Sequence, residues 1–217
     1  MMRKLLLGTF LLVGFSAFSQ VGKSDEAAKK ILDEVSSKFK TYKTVTAGFT
    51  LTIENSTGKL LGTKTGKVYM KGSKYRVDIS GQEIYSDGNN IWTFDKSANE
   101  VQITKFDPST NTLTPQKMFT NFYDKDFLYK LNGETKKGTK TIQQVELTPL
   151  DKTKMFFKVL VDIDQASKNI VSTKVFEKNG NRYTYTVNNL KINSSLAETL
   201  FVFNVNSNPG VEVVDLR

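Results

Sequence analysis

Asp162 and Asp164 lie two residues apart in Val161-Asp162-Ile163-Asp164, so on an extended strand both carboxylates leave the same face. Paired carboxyls divide acid and base roles when their surroundings split their pKa values. The residues that follow, Gln165, Ser167, Lys168 and Asn169, form a polar turn, and the pair reads as a solvated strand end. Asp124 and Asp126, flanking Lys125, read the same way. A serine with a lysine base needs no histidine, but Ser36-Ser37-Lys38 and Ser73-Lys74 lack both the Ser-x-x-Lys spacing on a helix and a strained nucleophile elbow. Asp87-Gly88-Asn89-Asn90 offers oxygen ligands, yet a calcium loop continues its ligands over about twelve positions. Here Ile91, Trp92 and Phe94 interrupt the series, so the segment reads as a turn.

Composition removes further chemistry. The chain has no histidine and no cysteine, which excludes imidazole bases, thiol nucleophiles, thiolate or imidazole metal sites and disulfides. No catalytic residue, metal or cofactor is expected. The net charge is +9, but the lysines are spread from Lys23 to Lys191 rather than striped between stacking aromatics. Nucleic acid is therefore not an expected partner, whereas weak attraction to an anionic membrane surface or partner is.

What remains is the scaffold. Arg3 and Lys4, the apolar run Leu5 to Phe15 and Ala17-Phe18-Ser19 have the order of a secretory signal, cut between Ser19 and Gln20. The run is shorter than the ~20 residues that span a bilayer core, and no cysteine is present to carry a lipid anchor. The expected organisation is a signal peptide at 1–19 and a single exported domain at 20–217. From Ser24 to Phe39, Ala28, Ile31, Leu32, Val35 and Phe39 recur at helical spacing and predict a helix with one buried stripe.

After Thr46 the period becomes two, with Phe49, Leu51 and Ile53 on one face. Glycines at 58, 62, 66, 72, 81 and 88 then punctuate short alternating segments, as in an antiparallel meander. Residues 82–95 read as a hairpin, followed by a strand carrying Val101 and Ile103. Between Thr114 and Leu131 the pattern turns helical, with Met118, Phe119, Phe122 and Tyr123, then Phe127 and Leu128. The sheet resumes after Gly138. The expected fold is mainly β (α+β): a strongly curved sheet or incomplete antiparallel barrel of about ten to eleven strands. Two helical segments cover its open face, where cavities commonly form. With large apolar residues concentrated on strands and insertion, such a cavity would hold an acyl chain at roughly 0.8 kcal/mol per buried methylene.

An ordered series of segments carries a family resemblance: Ala47-Gly48-Phe49-Thr50; Gly66-Lys67-Val68-Tyr69-Met70-Lys71; Lys74-Tyr75-Arg76-Val77; Tyr85-Ser86-Asp87-Gly88-Asn89-Asn90-Ile91-Trp92-Thr93-Phe94-Asp95; and Pro209-Gly210-Val211-Glu212-Val213-Val214-Asp215. Over essentially the whole mature chain this resembles the periplasmic outer-membrane lipoprotein carriers, the LolA-like family. The resemblance implies an incomplete barrel with a helical lid over an apolar cavity. It also implies lipidated lipoproteins as cargo, an inner-membrane release complex as donor, an outer-membrane acceptor, and a monomer. The acyl-chain cavity would be lined by Phe49, Leu51, Val77, Ile79, Trp92 and Phe94, with Met118, Phe119 and Phe122 from the insertion. Where the family often carries Arg-Pro, this chain has Lys71-Gly72. Lys71 becomes the candidate lid latch, with looser control expected because ammonium lacks the guanidinium fork and glycine frees the backbone.

The expected function is a non-enzymatic carrier of lipoprotein acyl chains from inner to outer membrane. A lipid-sensing or regulatory module on the same fold, an exported hydrolase using Asp162 and Asp164, and a structural envelope protein with a filled core are the alternatives.

Overall fold

The computed structural model describes residues 24–107 and 126–217. The predicted signal peptide lies outside this range, as do Met118, Phe119 and Phe122. Helix α1 spans Glu26–Lys40. Asp25 caps it, accepting the Ala27 amide at 2.8 Å, while Glu26 opens it and Lys38 and Lys40 close it, matching the helix dipole. Its buried stripe is Ala28, Ile31, Leu32 and Val35, and each of the larger three contributes roughly 1.5–3 kcal/mol on burial.

Twelve strands form one sheet: β1 Thr44–Glu54, β2 Leu60–Lys71, β3 Lys74–Ile79, β4 Gln82–Ser86, β5 Asn90–Asp95, β6 Glu100–Lys105, β7 Phe127–Lys137, β8 Lys140–Pro149, β9 Phe156–Asp164, β10 Ile170–Glu177, β11 Arg182–Ile192 and β12 Glu212–Asp215. Their order is β12-β6-β5-β4-β3-β2-β1-β11-β10-β9-β8-β7. Every neighbouring pair is antiparallel except β12 with β6, which is parallel. The sheet is curved and open, the expected incomplete barrel. Two strands depart from expectation. Phe127 and Leu128, read as the end of a helical insertion, begin β7, because Phe127, Tyr129 and Leu131 alternate onto one face and pair with Pro149, Leu147 and Val145 of β8. The tail forms β12, whose parallel pairing with a distant strand leaves no local signature.

Cross-strand register sorts the side chains. The chain Leu131–Val145–Val161–Thr173–Tyr185–Leu51 connects directly opposed residues from β7 to β1, and successive partners share a face. This is the inner face, on which α1 packs against Phe127, Tyr129, Val145, Leu147, Val159, Val161 and Ile163. The helix is pinned at its N-terminal end, where Asp25 donates its amide to the Tyr129 carbonyl at 2.9 Å and accepts the Leu131 amide at 3.1 Å.

The outer face is also covered, at β4 to β6. Tyr85, Trp92, Phe94, Val101 and Ile103 are buried there with Phe203, which follows the 3-10 turn Glu198–Phe201. The ring centroids of Phe203 and Phe94 are 5.0 Å apart, and those of Phe203 and Tyr85 5.7 Å. Glu198 fastens this segment to the β2–β3 hairpin through Lys71 and Lys74, both at 2.6 Å, and Lys71 also donates to the Leu196 carbonyl at 3.2 Å. Among the described residues Lys71 therefore clamps the C-terminal segment: opposite Lys74 and two residues from Tyr69, it faces away from α1.

The clamp has a pH signature. Hydrogen bonds from Lys71 and then Lys74 hold the Glu198 carboxyl at about 2, against an ordinary 4.5. A depressed folded-state pKa adds stability above the unfolded value and loses it as pH falls through the folded one. Wild type and Glu198→Gln should thus differ in denaturation midpoint at neutral pH, and converge between about pH 4.5 and 2. A gap that persists at pH 2 would show that the carboxylate charge is not what fastens the segment.

Candidate ligand-binding cavity

Beneath the C-terminal half of α1, the inner face does not close on itself. An apolar cavity of about 150 Å³ opens there. Its floor is Val45, Ala47 and Phe49 of β1 with Val68 and Met70 of β2, and Val77 on β3. The β1 and β2 residues are direct partners, Val45 with Met70 and Ala47 with Val68, and Val68 in turn faces Val77. Tyr185, Val187 and Leu190 of β11 form one wall, and Val35, Phe39 and Tyr42 close the top. Leu190 reaches the lining at a bulge, where Asn189 takes φ 49° and the β1–β11 register shifts, the usual way a strand re-aims a side chain.

One glycine shapes the floor. Gly66 sits opposite Phe49, whose ring lies so close that a Cβ at 66 would stand 2.4 Å from Phe49 Cζ and 2.6 Å from the Asp78 carbonyl. The ring can swing, but the backbone of β3 cannot. Gly66→Ala should destabilise by roughly 1–3 kcal/mol, the usual cost of overpacking, and push the Phe49 ring into the cavity. Equilibrium denaturation checks this, and a neutral result would mean that β3 gives way at no cost.

The rim is polar. Lys168 pairs with Glu34 at 2.8 Å, Lys38 donates to the Ser167 carbonyl, and the Tyr42 hydroxyl donates to Asn169 at 3.0 Å. All three fasten the end of α1 and the residues just after it to the β9–β10 turn. Asp164 builds that turn. Expected at a solvated strand end, it is instead only 3% exposed, accepting the Ala166 and Ser167 amides at 3.1 Å and pairing with Lys140 at 3.1 Å. The Ser167 amide, ahead of Lys140, holds its carboxyl below the usual range. Asp162 is bound by Gln144 and Ser172. Neither acid faces the cavity.

Of the residues picked from sequence, Phe49 and Val77 line the cavity. Leu51 and Ile79 share its face without lining it, Ile79 opposing Gly66. Trp92 and Phe94 do not join them. Trp92 opposes Tyr85, which opposes Arg76, whereas Val77 opposes Ile84, so both aromatics point to the outer face and pack on Phe203. Met118, Phe119 and Phe122 lie outside the described residues. Val45, Ala47, Val68 and Met70 went unselected, although continuing the Phe49–Leu51 alternation backwards reaches the first two. Among the described residues no cluster of acids is arranged to hold a metal, and Asp87 spends one carboxylate oxygen on the Asn89 and Asn90 amides at 2.8 and 2.7 Å.

A family model described as outer membrane lipoprotein carrier protein LolA matches residues 40–204. Among curated relatives, an outer-membrane lipoprotein carrier protein of Actinobacillus pleuropneumoniae serotype 3 is 27% identical over 100% of this chain and 97% of its own length. One of Cupriavidus necator is 27% identical over 70% of this chain and 72% of its own. Among solved structures, an uncharacterized conserved protein of Thermus thermophilus superposes with a TM-score of 0.56 at 13% identity, covering 87% of this chain and 99% of that one. This last likeness concerns the fold alone.

Proposed function

The chain belongs to the LolA family of outer membrane lipoprotein carrier proteins, a non-enzymatic binding protein, and from that premise we propose that its cavity shields lipoprotein acyl chains in transit across the periplasm from inner to outer membrane. The observation that carries this reading is the cavity itself, an apolar space between one helix and the inner face of a curved sheet. Buried methylenes supply the affinity at roughly 0.8 kcal/mol each, and no charged group is needed at the chain. No helix among the described residues is long and apolar enough to cross a membrane.

The cavity at rest is small for this cargo. An apolar space of about 150 Å³ accepts a benzene-sized guest, so a full acyl chain requires the end of α1 to lift. Its attachments there are suited to parting. Lys168 and Glu34 are each about a third exposed, and pairs of that kind are worth about 0–1 kcal/mol. The N-terminal half, with Ala28, Ile31 and Leu32 buried and Asp25 bonded to β7, is the natural hinge.

The test is uptake of a fluorescent acyl probe by purified protein, together with release of newly made lipoprotein from spheroplasts. Uptake and release are expected. Neither uptake nor release would overturn the reading, and uptake without release would leave a lipid-binding protein that is not a shuttle.

A further inference from the structure

Three connections lie side by side at one end of the sheet: the β1–β2 turn at 55–59, the β8–β9 loop at 150–155 and the β10–β11 turn at 178–181. Arg182 donates to the Ser56 carbonyl, Lys178 donates its amide to the Met155 carbonyl at 2.9 Å, and the Lys178 ammonium reaches the Lys152 carbonyl. The first hairpin also projects, since β3 pairs with β2 only from Gly66 onward.

This end carries large apolar side chains in water. Leu60, Leu61, Leu150, Met155 and Phe157 are each about half exposed or more, Met155 reaching 69%. Exposed apolar groups gathered in one region, unlike scattered ones, mark an interaction site. The charge around them is predominantly positive. Apart from Lys174, which pairs with Glu54 at 2.6 Å, the same segments hold Lys59, Lys152, Lys154, Lys158, Lys178 and Arg182 against Asp151 and Glu177. Lys158, Lys174 and Arg182 surround the Phe176 ring at 4.6, 5.8 and 5.6 Å from its centroid, and the Phe157 ring lies beside it, tilted by 57° with its centroid 6.2 Å away.

We propose that this end of the sheet docks on the surface of an anionic bilayer. The apolar side chains stand on separate connections and on the strand ends beside them, Leu60 and Leu61 at the start of β2 and Phe157 in β9, which suits insertion between lipid headgroups better than the pocket-and-anchor fit of a protein partner. The lysines lay their stems along the apolar groups and place their ammonium ions at headgroup level. Basic side chains at an anionic surface each strengthen binding by about fivefold, an effect that salt screens. The surface lies at the opposite strand ends from the Val45 and Ala47 floor of the cavity, so vesicle docking and acyl-probe uptake are separable measurements.

The experiment is flotation of the purified protein with vesicles of phosphatidylglycerol and phosphatidylethanolamine, and with phosphatidylcholine vesicles. Binding to the anionic vesicles alone is expected, weakening with salt. Lys59→Glu/Lys152→Glu should reduce it by roughly twenty-five-fold or more, as should Leu61→Asp/Met155→Asp, with the melting temperature and acyl-probe uptake unchanged because all four side chains are exposed. Equal binding to both vesicle types, no binding to either, or full binding by the variants would overturn the proposal. Capture by solubilised inner-membrane protein without vesicle flotation would also overturn it, making this a protein-docking surface.

Discussion

Ala47→Phe is expected to weaken uptake of a fluorescent acyl probe by about sixty-fold while leaving the protein folded. Ala47 is 4% exposed and lies in the cavity floor opposite Val68. The added ring is the size of guest that an apolar space of about 150 Å³ accepts, so it enters the cavity rather than the packed core. Overpacking normally costs about 1–3 kcal/mol, and here burial of the ring offsets part of that. A ligand denied the volume of about three methylenes loses about 2.4 kcal/mol at 0.8 per methylene, which is the sixty-fold stated. The measurement is a probe titration, with the denaturation midpoint as control. Unchanged affinity in a folded variant would mean that acyl chains bind elsewhere, and with that the cavity would lose its role.

Phe203→Ala should have the largest effect on stability, a loss of about 3–5 kcal/mol, the range for truncating a buried aromatic, out of a typical 5–15 kcal/mol. Phe203 is 5% exposed and touches Tyr85 and Phe94 across the outer face. Removing it uncovers a face of β4 to β6 that, among the described residues, a distant segment covers. Trp92, the single tryptophan, is in the same cluster, so its emission should shift to the red as denaturant detaches the segment, at a lower midpoint than in wild type. Affinity per folded molecule should not change, because the cavity is on the other side of the sheet. A loss under about 1 kcal/mol would show that the outer-face cluster is a loose covering.

The two substitutions separate what local patterns convey from what they leave open. Helix α1 was legible because Ala28, Ile31, Leu32 and Val35 repeat at helical spacing behind a capping aspartate, and both signals lie within one stretch of chain. The strand carrying Phe49 and Leu51, the hairpin at 82–95 and the absence of histidine and cysteine chemistry were legible from the sequence as well, as was the resemblance to the LolA family. Alternation also showed that Trp92 and Phe94 leave the same side of their strand. Which side that is depends on the loop 87–90 setting Ser86 opposite Ile91, and thus on a register that alternation within one strand does not encode.

The outer face of β4 to β6 is covered by a segment about a hundred residues away, and Lys71 serves that segment because the β2–β3 hairpin turns its ammonium away from α1. Composition and periodicity therefore determined most element types and the excluded chemistry, and the resemblance of ordered segments pointed to the family. The assignment of each apolar residue to cavity or core came only from the tertiary structure, because a side chain's face is set by cross-strand pairing and by whatever distant chain packs over it.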